Sequence, residues 1–118
     1  FGKNKILDFT YIDDTVDGIF RSILYFNKAM NKTYNIATGA GFPLGDIAKF
    51  IIKNTGSKSR MIFKENRTGE VIRFIADIRE ARSILSYEPK FDLETGLDKT
   101  INWYSTRLDT YLNQLLNN

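Results

Sequence analysis

Stretches with an apolar period of two alternate along this chain with stretches whose apolar residues recur every three or four positions, and that alternation confines it to an α/β fold. Lys5 to Ile12 sets Leu7, Phe9 and Tyr11 against Asp8 and Thr10, the pattern of a strand with one buried face. Asp13 or Asp14 then supplies the N-cap of a helix ending near Asn31. Its stripe of Val16, Ile19, Phe20, Ile23 and Leu24 marks it as core-facing, with Asp17 and Arg21 paired outside. Thr33–Ala37 reads as a second strand, and a glycine-bearing turn leads to Pro43 as the first residue of the next helix. Leu44, Ile47, Ala48, Ile51 and Ile52 stripe that helix, and Gly56 stops it. Arg60–Phe63 predicts a third strand. Asp77 and Glu80 have capping-box spacing for a short helix carrying Ile78, Ala81 and Leu85, which breaks before Pro89. The last helix is predicted from about Leu93 to Leu116, with Leu97, Ile101, Tyr104, Leu108, Tyr111 and Leu115 at helical spacing and Trp103 and Tyr104 as packing residues. Asn35 reads as a strand asparagine bonded to a neighbouring loop.

The 118 residues predict a single domain, 1–118, with its own core. The absence of cysteine removes disulfides and thiolate chemistry, and the absence of histidine removes imidazole triads and most zinc sites. Asp8, Asp13, Asp14 and Asp77 are scattered over strand ends and helix starts, where carboxylates cap backbone amides, so no metal site is expected. The net charge of +3 is unevenly spread: Lys49, Lys53, Lys58, Arg60, Lys64, Arg67 and Arg73 face only Glu65 and Glu70, which points to an anionic ligand. That charge is too low for a nucleic-acid module. No apolar run approaches the roughly 20 residues that cross a bilayer, so no membrane partner is expected and the cytoplasm is the expected compartment. Gly39, Gly41 and Gly45 miss the dinucleotide-binding spacing by one residue, with Phe42 and Pro43 where a backbone would approach pyrophosphate. No tyrosine has a lysine four residues on. The chain opens on Phe1 and reads as the tail of a longer polypeptide.

Three ordered blocks, DFTYIDDTVDGIF, YNIATGAG before a helix, and the run from Gly69 to Tyr104, resemble the carboxy-terminal part of the extended short-chain dehydrogenase/reductase family of NAD-dependent nucleotide-sugar epimerases and dehydratases. The resemblance covers the chain to about Tyr104. It implies an α/β fold forming the carboxy-terminal, nucleotide-sugar-binding portion of a Rossmann-type enzyme that resembles UDP-glucose 4-epimerase. It further implies that NAD and the catalytic tyrosine and lysine belong to an amino-terminal Rossmann half. On that reading the chain has no catalytic or cofactor-binding residue and no metal, and is silent alone. Its partners would be a nucleoside-diphosphate sugar and its own amino-terminal half, and in isolation an unpaired edge at Thr33–Ala37 predicts self-association.

Within the resemblance, Asn66-Arg67-Thr68-Gly69-Glu70 is similar to the family's Arg-x-Gly-Asp/Glu segment. There Arg67 would meet the diphosphate while Glu70 engages ribose hydroxyls or steadies the arginine, with Gly69 giving the turn. Leu7-Asp8-Phe9 departs from the family's Arg-Asp-Phe, and Arg73 or Lys64 would compensate. Ser86 stands where the family commonly has glycine. The alternatives are a nucleotide-sugar 4,6-dehydratase, a UDP-glucuronate decarboxylase, or a non-catalytic relative that senses a ligand or binds a partner.

Overall fold

The computed structural model describes residues 5–64 and 67–116. In chain order it comprises β1 (Ile6–Leu7), α1 (Ile12–Leu24), α2 (Phe26–Ala29), β2 (Phe42–Pro43), α3 (Leu44–Thr55), β3 (Arg73–Phe74), α4 (Arg79–Leu85) and α5 (Leu93–Leu116). The three strands form one sheet in the order β2-β1-β3, antiparallel between β1 and β2 and parallel between β1 and β3. This is the mixed α/β architecture that the alternating periods predict.

The strands are shorter and differently placed than the sequence predicts. Of Lys5–Ile12 only Ile6 and Leu7 pair as strand, bordered by bonds from Ile6 N to Ile72 O and from Asp8 N to Phe74 O. Thr33–Ala37 and Arg60–Phe63 are not strands. Around the first, side chains replace a ladder: Tyr34 donates to Ala29 O, Asn35 Nδ2 to Asp77 O, and Tyr87 to Ala37 O. The partners of β1 come instead from Phe42–Pro43 and Arg73–Phe74. Proline is admissible in β2 because that strand lies at the edge of the sheet.

Helix α1 is turned the opposite way from its apolar stripe. Val16, Ile19, Phe20, Ile23 and Leu24 are exposed, while Asp14 and Gly18 are buried. Gly18 explains the contact: a Cβ there would lie 2.5 Å from Ile36 Cγ2, so only a glycine lets the helix backbone meet the 33–37 segment this closely. Neither Asp13 nor Asp14 caps the helix; Tyr11 stands at the N-cap without a side-chain bond, and both acids lie in the first turn. Asp14 reaches across the fold to accept from Lys90 N at 2.9 Å and Phe91 N at 3.2 Å, so its buried charge is satisfied by backbone amides. Arg21 pairs with Asp17 and donates to Ser86 O. The helical segment breaks at Tyr25 before α2 instead of running on to Asn31.

The remaining helices lie close to their predicted bounds. Pro43 is the N-cap of α3 instead of its first residue, and Gly56 closes the helix at φ 63°, with Ser57 N bonded to Ile52 O. Asp77 does not form the reciprocal capping box with Glu80; it accepts from Arg79 N and pairs with the Arg79 guanidinium, which lowers its pKa to about 2. Ser86 ends α4 in the left-handed region at φ 52°. Asp92 accepts from Thr95 N at 2.8 Å and caps α5. Trp103 and Tyr104 are not core residues: they stand partly exposed and stack edge to face on the rim of a cleft of about 490 Å³. The side chains of Tyr111 and Leu115, predicted on the same stripe, lie outside those described.

Among the described residues the buried hydrophobic set is Ala29, Ala37, Ile47, Ile78, Ala81, Leu85 and Tyr87. Its centre, formed by Ala29, Ala81, Leu85 and Tyr87, lies where α4 meets α1 and α2. None of the described helices is long and apolar enough to cross a membrane.

Candidate functional site

The site is built on one face of the small sheet. Successive side chains of a strand point to opposite faces, and residues in register across a sheet share a face. Lys5, Leu7 and Phe9 therefore project together from β1 and its flanks, with Phe42 in register beside Leu7 on one side and Phe74 on the other. The opposite face carries Ile6 with Pro43 and Arg73. Asp8 belongs to that second face, where its carboxylate accepts from Thr38 N and Oγ1, Gly39 N and Ala76 N and so ties the two loops beyond the sheet to β1.

At the Lys5 end of the first face the chain makes a tight turn. Glu70 N donates to Arg67 O at 3.1 Å, Arg67 N donates to Glu70 Oε2 at 3.2 Å, and Gly69 takes φ 79°. The turn is closed by its own acid, a local arrangement that the spacing of Arg67, Gly69 and Glu70 makes available. The other carboxylate oxygen, Glu70 Oε1, lies 2.8 Å from Lys5 Nζ. The Lys5 ammonium, hydrogen-bonded to Glu70, holds its carboxyl below the usual range against the opposing effect of desolvation, and the Arg67 amide adds to the lowering. The Lys5 and Glu70 side chains are 16% and 22% exposed, against 64% and 62% for the pair Lys49–Asp46 on α3, so this ion pair is the better shielded of the two.

Of the four residues that the sequence nominates, the structure brings Arg67 and Glu70 together through a backbone bond and the Glu70 carboxylate on the Arg67 amide. Arg73 is exposed and shares the face of Ile6, opposite to Leu7. Lys64 is exposed and adjoins Glu65 and Asn66, which lie outside the described residues. Lys5 is the residue that the sequence reading overlooked. Its signal was the same alternation that put Leu7 and Phe9 on one face, but its pairing with Glu70 joins distant parts of the chain and has no local signature.

The glycine turn ahead of α3 packs closely against isoleucine side chains. A Cβ on Gly41 would lie 2.5 Å from Ile75 Cδ1 and 2.7 Å from Ile6 Cγ2, and one on Gly39 would lie 3.3 Å from Ile78. Among the described residues no cluster of three or more His, Cys, Asp or Glu could hold a metal ion.

No family model matches the chain. It is 33% identical over 109 residues to UDP-glucuronate 4-epimerase 5 of Arabidopsis thaliana, a match covering 82% of this chain and 25% of that protein. The crystal structure of UDP-glucose 4-epimerase from Thermotoga maritima, solved with UDP-glucose, superposes with a TM-score of 0.73 at 30% identity, over 90% of this chain and 33% of that one. UDP-glucuronic acid 4-epimerase from Bacillus cereus, in complex with UDP-glucuronic acid and NAD, gives a TM-score of 0.77 at 26% identity, over 88% of this chain and 33% of that one. The chain thus spans about a third or less of the length of the relatives it matches. Its homologues and structural neighbours are UDP-glucose and UDP-glucuronate 4-epimerases and related NAD-dependent epimerases, which is consistent with the carboxy-terminal portion of an extended short-chain dehydrogenase/reductase.

Proposed function

We propose, for a chain whose relatives are UDP-sugar 4-epimerases, that it is the substrate-binding lobe of such an enzyme and grips the nucleoside diphosphate of the sugar nucleotide. The observation that carries this reading is the Arg67–Glu70 turn seated against the Lys5 end of β1, next to the face that displays Leu7, Phe9, Phe42 and Phe74. A guanidinium matches phosphate oxygens in a fork geometry, and the aromatic face can cover the apolar surface of a nucleoside. Glu70 steadies the turn that presents Arg67. NAD, which supplies reversible hydride transfer at the sugar carbon, would be held by an amino-terminal half together with the catalytic tyrosine and lysine, and this chain would be silent without it.

Leu7 at the centre of the face favours one further reading, a relative that binds a ligand without turning it over. That reading expects an amino-terminal half lacking Tyr-x-x-x-Lys, whereas the enzymatic reading expects the motif. The direct test is titration of the chain with UDP-glucose and UDP-glucuronate followed by amide chemical shifts. Perturbations should gather at residues 5–9, 42 and 67–74, and Arg67→Ala should weaken binding about tenfold, the loss of a charge-assisted phosphate contact. Unchanged affinity would remove Arg67 from the site.

A further inference from the structure

We propose that Lys5 is the second cation of the diphosphate site, reaching it from the strand face that also carries Leu7. The inference rests on the reading of that face as a nucleotide-sugar site and names the group within it. Position 7 is leucine, and the nearest sequence-nominated substitute in the sheet, Arg73, lies on the opposite face. Lys5 lies on the face of Leu7, about 7 Å along the strand, a span comparable to its own four-carbon stem.

The backbone that carries it is fixed on both sides: Lys5 O accepts from Leu44 N at 2.9 Å, and Ile6 N donates to Ile72 O at 2.9 Å. The ammonium is held by Glu70 Oε1. An ammonium has three donors and this bond uses one, so two remain for phosphate oxygens. Glu70 Oε2 meanwhile holds the Arg67 amide, so one carboxylate sets the spacing of two cations. Two formal positive charges and one negative leave the group of Lys5, Arg67 and Glu70 net positive, and the partial shielding of the Lys5–Glu70 pair strengthens each contact relative to open water.

The test uses the 118-residue chain with UDP and uridine as probes, since uridine lacks the diphosphate. The wild-type chain should bind UDP at least about tenfold more tightly than uridine, and Lys5→Met should lower that preference several-fold, leaving the share that Arg67 supplies and uridine affinity within about twofold. The double variant Lys5→Met/Glu70→Gln separates contact from neutralisation. If Lys5 touches phosphate, the double variant stays as weak as Lys5→Met; if Lys5 only quenches Glu70, the double variant recovers UDP binding and the proposal is overturned. Unchanged UDP affinity in Lys5→Met also overturns it. A measurement on the unmodified chain guards against a misfolded variant: the Lys5 side-chain resonances should shift with UDP and not with uridine, and silence there overturns the proposal. Failure of the underlying reading looks different, as a wild-type chain with no preference for UDP over uridine; that result removes both.

Discussion

Tyr87 shows how much one buried polar side chain can report. Its ring is fully buried and its hydroxyl donates to Ala37 O at 3.1 Å, pinning the 33–37 segment to the end of α4. Burial, helped by the negative charges led by Asp14, pushes the phenol up from its ordinary 10.0 to about 12. A folded-state pKa raised above the unfolded value gives stability that is complete below pH 10 and is lost as pH rises towards 12. The chain should therefore unfold progressively more easily in that alkaline window, and Tyr87→Phe should lack this step while losing about 1 kcal/mol at neutral pH for the missing hydrogen bond. Urea titrations across pH 8–12 on both proteins check it; an identical alkaline limb would refute the assignment. At this scale Arg67, Gly69 and Glu70 were legible because a turn's chemistry is local. Asp14 was legible only as a capping acid, and the amides it caps lie far along the chain.

Among the elements, α3 and α5 were readable from the sequence to within a residue or two, because helical periodicity, Gly56 and the Leu93 start are encoded within a few positions of each other. The strands were legible only at Ile6–Leu7, inside the predicted Lys5–Ile12. A two-residue strand is defined by its neighbour, and β-rich composition at Thr33–Ala37 and Arg60–Phe63 cannot supply one. Helix α1 divides the same way: its stripe fixed the helix but not the direction it faces, which Gly18, Asp14 and the Arg21–Ser86 contact determine. The end of α4 carries a backbone cost. Ser86 at φ 52° and ψ 31° occupies a conformation that glycine adopts freely, so Ser86→Gly should stabilise the chain by about 1 kcal/mol, read as a raised urea midpoint at unchanged slope. A lowered midpoint would mean that the serine side chain contributes more than its backbone strain removes.

Taken whole, the molecule is more open than its length would require. Its radius of gyration is 17.4 Å, against about 13.5 Å for a compact domain of this size. The apolar stripe of α1 is left uncovered, with Phe20 64% and Ile23 67% exposed. We expect the chain alone to associate with itself at high concentration, as a rise in sedimentation coefficient that Phe20→Glu together with Ile23→Lys suppresses; a concentration-independent monomer would refute this. The fold's connectivity also orders its assembly in time. Asp8 and Ala76 meet across 68 residues and Asp14 and Phe91 across 77, whereas every helix closes on bonds a few residues long. Joining β1 to β3 closes most of the chain into a loop before any contact there offsets the lost entropy. The Lys5–Glu70 pair exists only after that closure. The face that would grip the ligand is thus a late product of folding, and damage to it should be felt in the rate at which the chain comes apart more than in the rate at which it forms.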